Sequence, residues 1–111
     1  MNYFKEENEN GNQVFYFYGE LDSSNCFIYK EKISSSIEGK KANLIIFDFT
    51  YTTFVDSAGI GLILGRFNEI KSMKKNLRLR GVNIYINKIF KIAGLYQILN
   101  IEILESKVKN R

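Results

Sequence analysis

The sequence predicts an α/β domain whose sheet is mixed but mostly parallel, with four to five strands and helices packed against it. Three observations predict it. Short β-rich or apolar runs alternate with stretches whose apolar residues recur every three or four positions, in the order β-β-α-β-α-β-α-β. Residues 44–49, LIIFDF, form an apolar run of strand length, as a central strand of a parallel sheet requires. At 111 residues the chain suits one domain spanning 1–111, whose parallel crossovers are right-handed.

Residues 3–6 and 14–18 (VFYFY) read as strands of an N-terminal hairpin over about 3–18. They join through Glu9-Asn10-Gly11-Asn12, where Asn-Gly favours a hairpin turn. After Gly19-Glu20-Leu21, Asp22 or Ser23 can cap a helix over 25–38, because their oxygens accept orphan backbone N–H bonds. Its stripe is Cys26, Tyr29, Ile33 and Ile37, and Gly39 stops it. Residues 50–55 read as the loop after the 44–49 strand. Asp56 then caps a second helix from Ser57 to about Lys75. Ile60, Leu62, Ile63, Leu64, Phe67, Ile70 and Met73 make its wide apolar face, with Arg66, Glu69, Lys71 and Lys74 expected on the wet side. Residues 77–82 alternate as a strand. Ile86, Ile89, Phe90 and Ala93 mark a short helix over 84–93, ended by Gly94. One more turn at 95–99, a last strand at 101–104 and a frayed polar tail at 105–111 complete the chain.

Composition excludes several classes of function. There is no histidine, which removes imidazole metal sites, His-based acid–base catalysis and Ser-His-Asp triads. The single cysteine, Cys26, sits on an apolar stripe and reads as core, with no intramolecular disulfide available. No run of 18 apolar residues exists, so no membrane span is expected, and the polar start with Glu6, Glu7 and Glu9 does not fit a secretory signal. The expectation is a small cytoplasmic module with no catalytic residues, no metal and no cofactor of its own. The formal charge is +4 and the pI about 9.2. Its densest basic group, Lys71, Lys74, Lys75, Arg78 and Arg80, falls at a helix end and the next strand, and reads as a solvated face. With no zinc-finger or RNP motif and no tryptophan, no direct nucleic-acid contact is expected.

The chemistry concentrates in residues 47–66, FDFTYTTFVDSAGIGLILGR. A strand leads through a polar loop into Asp56-Ser57-Ala58-Gly59 at a helix start, where unsatisfied N–H donors and the dipole favour anions. With Asp56 as cap, the Ser57 hydroxyl points outward, and Gly59 and Gly61 bring no side chains to shield it. A phosphate there adds about −1.5 to −2 charge, enough to switch a docking site without refolding. The same residues are also ordinary capping chemistry. Gly59, Gly61 and Gly65 space as GxGxxxG, not the dinucleotide GxGxxG, and no P-loop Lys-Ser/Thr pair exists; Gly61 and Gly65 read as close helix-on-sheet packing. Asp22 lies near Ser57 if both loops leave one sheet edge, or else caps its own helix. Asp48, set opposite to Ile46, sits at a strand end near the site or is exposed. Phe54 is a candidate exposed interface anchor, while the other aromatic residues read mostly as core and strand residues.

VDSAGIGLILGR within 43–66, the Gly19-Glu20-Leu21-Asp22 loop, and Phe90-Lys91-Ile92-Ala93-Gly94-Leu95-Tyr96 together resemble the anti-sigma factor antagonists of bacterial partner-switching systems, members of the STAS domain family. The resemblance runs in register over about 14–103. It implies phosphorylation of Ser57, with Ala58 offering no competing hydroxyl. It implies binding, when unphosphorylated, to an anti-sigma factor that is also a serine kinase and supplies the ATP, which frees a sigma factor; a serine phosphatase resets the cycle. Asp22, Asp56, Ala58, Gly59, Gly61 and Arg66 are the partner-binding positions it suggests. Two departures from relatives are a short polar C-terminal tail and the absence of a proline near Asn83-Ile84. The alternatives are a STAS-type scaffold in another signalling pathway and a nucleotide- or phosphate-binding module.

Overall fold

The computed structural model describes residues 1–98 and 102–104. β1 (Tyr3–Glu9) and β2 (Asn12–Leu21) form the hairpin. Its turn holds Asn10 at φ 56° and Gly11 at φ 86°, the two positive angles that a tight, right-twisted hairpin demands. Then come α1 (Cys26–Glu38), β3 (Leu44–Asp48), β4 (Thr52–Val55) and α2 (Ser57–Ser72). β5 (Asn76–Arg80), α3 (Ile84–Ile92), α4 (Leu95–Ile98) and β6 (Glu102–Leu104) follow. Five strands run in the order β1-β2-β3-β5-β6; β1 is antiparallel to β2 and the other neighbours are parallel. The expected mixed, mostly parallel sheet is therefore present, with β3 central as its apolar run requires. Positions 99, 101 and the tail 105–111 lie outside the described residues.

β4 corrects the expected loop at 50–55. β2 is ten residues long, and β3 pairs only with its Gln13–Tyr16 portion, so its far end has room for another neighbour. After a register shift at Gly19/Glu20, β4 takes that place in parallel, with Leu21 opposite Val55. Four residues are too few to show alternation in sequence. Thr52 is buried, and its hydroxyl donates to the Phe17 carbonyl at 2.9 Å. α2 stops at Ser72 rather than near Lys75, because Lys74 takes φ 61° and turns the chain toward β5.

α1 and α2 pack together over the core face of the sheet. Phe15, Phe17, Ile45, Phe47, Phe49 and Leu79 meet Tyr29, Ile33, Ile37, Leu62, Ile63 and Ile70 there. Phe47 stands edge-on to Phe15 and Phe17 at 5.8 and 5.4 Å between centroids, a favourable aromatic geometry. Phe49 meets Phe90 edge-on at 5.4 Å and so seats α3. Not every aromatic residue is core: Tyr3, Tyr18 and Tyr51 stack in a column at 4.4 and 4.8 Å, with Tyr3 and Tyr51 exposed.

Asp48 is neither exposed nor opposite Ile46. Residues two apart on a strand share a face, and Asp48 is buried there. Arg80 Nε donates to Asp48 Oδ2 at 2.7 Å, and its Nη1 donates to Glu9 Oε1 at 3.1 Å. Its Nη2 donates to the Tyr16 hydroxyl at 2.9 Å, and that hydroxyl donates to Glu9. Burial and the bond to Glu9 push the Tyr16 phenol up to about 12, against the pull of Arg80. One guanidinium on β5 thus clasps side chains from β1, β2 and β3. The basic group at the end of α2 is correspondingly less solvated than expected: Arg80 is buried, and Lys75 donates to the carbonyls of Ile37 and Lys40 at the end of α1.

Candidate functional site

The site is built where β2 and β4 end side by side. Because Leu21 pairs with Val55, Asp22 and Asp56 leave the same sheet edge as neighbours. The Asp56 amide donates to the Leu21 carbonyl at 3.2 Å and ties the two exits together. Asp56 is extended, and its Oδ1 accepts from the amides of Ala58 at 2.8 Å and Gly59 at 3.2 Å. Two orphan donors of α2 are satisfied that way, as the sequence predicts. Ser57 follows as the first helical residue and is exposed. Gly59 is buried beneath it. A Cβ there would lie 2.6 Å from Val55 Cγ1 and 2.7 Å from the Leu21 carbonyl oxygen, so only glycine lets this turn rest on the sheet edge.

A STAS domain model matches residues 3–109. The chain belongs to the STAS domain family. Over 82 residues it is 32% identical to the anti-sigma F factor antagonist of Lysinibacillus sphaericus, covering 74% of this chain and 70% of that one. Over 97 residues it is 30% identical to the anti-sigma-B factor antagonist of Bacillus subtilis, covering 86% and 85%. The structure of the anti-sigma factor antagonist SpoIIAA in its unphosphorylated form superposes with a TM-score of 0.77 at 28% identity, covering 93% of this chain and 87% of that one.

Other expectations for this STAS domain are corrected. Neither Asp22 nor Ser23 caps α1. The cap position is Asn25, whose side chain makes no capping bond. Asn25 instead staples the loop: its Oδ1 accepts from the Asp22 amide at 3.2 Å and its Nδ2 donates to the Glu20 carbonyl at 2.9 Å. Asp22 accepts from the Ser24 hydroxyl at 2.6 Å and the Ser24 amide at 3.0 Å, and these bonds hold its carboxyl below the usual range. Arg66 is not on the wet side. It is 6% exposed, and its Nε donates to Glu69 Oε1 at 3.2 Å. The Ser34 hydroxyl donates to the same oxygen at 2.8 Å, so this pair bridges α1 to α2. Arginine can bury its stem when its head is paired, which a wheel of polar and apolar letters does not show. Gly61 and Gly65 do not pack on the sheet either; a Cβ at each would meet nothing within 4 Å. Both, with Ala58, open onto a groove of about 270 Å³ between α1 and α2 that Cys26, Phe27 and Lys30 also line.

Cys26 is buried, and its thiol is pushed up to about 11 by burial first and then by the carboxylates of Asp56 and Asp22. Because the thiolate is the nucleophile, native Cys26 is expected to react with iodoacetamide at pH 8 at least about tenfold more slowly than the unfolded chain. A rate equal to that of the denatured protein would show the thiol to be open.

Sequence reasoning missed a second feature. Val55, Asp56, Ser57, Ile60, Ile89, Ile92 and Ala93 line an apolar cleft of about 320 Å³ between the start of α2 and α3. A signal was available: Ile92 is apolar yet lies outside the buried pair Ile86 and Phe90, and it is exposed. Phe54, as expected, is 45% exposed. Among the described residues, no helix is long and apolar enough to cross a membrane.

Proposed function

We propose that this STAS domain is an anti-sigma factor antagonist switched by phosphorylation of Ser57. The observation that carries the reading is the exposed residue Ser57 at the first position of α2, beside a cap that is already satisfied. Two relatives at 30% identity or more carry that name, and the unphosphorylated SpoIIAA structure covers 93% of the chain. SpoIIAA in its phosphorylated form also superposes, with a TM-score of 0.71 at 28% identity.

In this reading the unphosphorylated protein binds an anti-sigma factor that is a serine kinase, and a sigma factor is freed in the cytoplasm. The kinase brings the ATP. The Ser57 oxygen attacks the γ-phosphorus, its proton passes to a base of the kinase, and ADP leaves. The domain is a substrate and supplies no catalytic group. Asp22, Asp56, Ala58 and Gly61 frame the serine, and Gly59 seats the turn from beneath. The added charge of about −1.5 to −2 meets the positive end of the α2 dipole, so the fold tolerates it while the docked surface does not. A serine phosphatase removes the group by hydrolysis and restores binding.

Incubation with its anti-sigma factor kinase and ATP is expected to add a single phosphate, located on Ser57 by peptide mass spectrometry. Phosphate on Ser23, Ser24 or Thr53 instead would move the switch off the α2 start.

A further inference from the structure

Arg66 is 6% exposed, yet its hydrogen bonding is incomplete. Its Nε donates to Glu69 Oε1 at 3.2 Å, and among the described residues no acceptor meets Nη1 or Nη2. A guanidinium taken out of water normally fills its donors, because each one left bare in a low dielectric costs free energy. These two nitrogens are not sealed inside the protein either. Arg66 lines the groove of about 270 Å³ between α1 and α2. The two unfilled nitrogens form one side of a planar fork, the shape that grips both oxygens of a carboxylate.

The surroundings narrow the choice of anion. Ser34 on α1 meets Glu69 on α2, so one turn earlier on each helix Lys30 stands level with Gly65 and Arg66. Lys30 also lines the groove, is exposed and has no acidic partner among the described residues. Arg66 and Lys30 set against Glu69 leave one positive charge in excess, which suits a monoanion. At its other end the groove reaches Cys26, which lies in the field of the Asp56 and Asp22 carboxylates. The anion therefore belongs at the Arg66 end and an uncharged body beyond it. Leu62 and Phe27 wall that body with apolar surface, and Gly61 and Gly65 leave space, since a Cβ at either would meet nothing within 4 Å. The volume lies just below the roughly 300 Å³ at which pockets for drug-sized ligands begin, so the occupant is small. We propose that the α1–α2 groove binds a small monocarboxylate with an apolar body, its carboxylate on Arg66 Nη1 and Nη2 with Lys30 beside it, and its body over Gly61 and Gly65. This site recognises a free small molecule and does not rest on the reading of Ser57.

The test adds benzoate as the probe to the full unphosphorylated, isotope-labelled chain and follows it by NMR. Saturable shifts are expected at the amides of Gly61 and Gly65 and at the Arg66 Nε–H signal, with a Kd of about 1–10 mM for so small a ligand. Benzamide, of the same shape without the charge, is expected to bind at least about tenfold more weakly. Gly65→Leu fills the groove, and leucine is a better helix former than glycine, so α2 stays folded, which circular dichroism checks. It is expected to weaken benzoate at least about tenfold. Lys30→Gln should weaken it about threefold or more, while Lys41→Gln, outside the groove, stays within about twofold of the parent. The absence of saturable shifts up to about 50 mM benzoate, or saturable shifts confined to another part of the chain, would overturn the proposal. So would benzamide bound as tightly as benzoate, or a Gly65→Leu variant that binds like the parent. Acetate or inorganic phosphate matching benzoate at the same signals would mean an adventitious ion only and overturn it too. A blocked tripeptide of leucine, glutamate and leucine that binds at least about tenfold tighter than benzoate would assign the groove to a protein side chain, which also overturns it.

Discussion

Ser57→Asp is expected to weaken the complex with the anti-sigma factor at least about tenfold, while Ser57→Ala keeps the parent affinity within about twofold but can no longer be released by ATP. The size follows from the charge: a like-charge or desolvated contact at an interface costs a few kcal/mol, and about 1.4 kcal/mol is tenfold. Aspartate carries less charge than a phosphate, so its effect is a lower bound on that of the modification. The fold should be indifferent. An acidic residue in the first turn of α2 gains roughly 0.3–1 kcal/mol from the dipole, offset in part by repulsion from Asp56 next to it. A calorimetric titration of the three proteins separates the cases, and equal dissociation constants would sink the switch. A melting curve run alongside should show unchanged stability, which assigns any loss to the interface.

Arg80→Ala is expected to lower stability by about 3–5 kcal/mol, a large share of the roughly 5–15 kcal/mol of a typical small domain. The guanidinium is the shared partner of Asp48 Oδ2, Glu9 Oε1 and the Tyr16 hydroxyl. Asp48 is buried, so removal of the guanidinium leaves a carboxylate in the sheet to which, among the described residues, the Thr50 amide at 2.8 Å still donates. The double variant Arg80→Met/Asp48→Leu should recover part of the loss, because the buried Asp48 carboxylate goes with the guanidinium. Urea unfolding followed by circular dichroism measures both. A loss below about 1 kcal/mol for Arg80→Ala would mean that the ion cluster is decoration on a sheet already held by its apolar face.

What the sequence makes legible here is what local periodicity and capping control. The Asn10-Gly11 turn, the Cys26-to-Ile37 stripe, the apolar β3 and the Asp56 cap each depend on a few adjacent residues, and each appears where it is read. What remains hidden depends on residues far apart. Arg66 counts as a surface residue until Glu69 and Ser34 are beside it. Asp48 and Arg80, 32 residues apart, explain each other only once β3 and β5 are neighbours. β4 is invisible because its four residues become a strand only against the spare length of β2. At the site, the serine and its cap are readable in one motif. The convergence of Asp22 on it is not, because that follows from the Leu21–Val55 pairing.

That pairing has a consequence for timing. Asp22 and Asp56 each follow directly on a strand end, and the backbone bond from Asp56 to Leu21 fixes one against the other. In the proposed reading, a partner arriving there meets two loop exits already tied together, so association forfeits little chain freedom at that point. Exchange between partners is then expected to be governed by how quickly each departs.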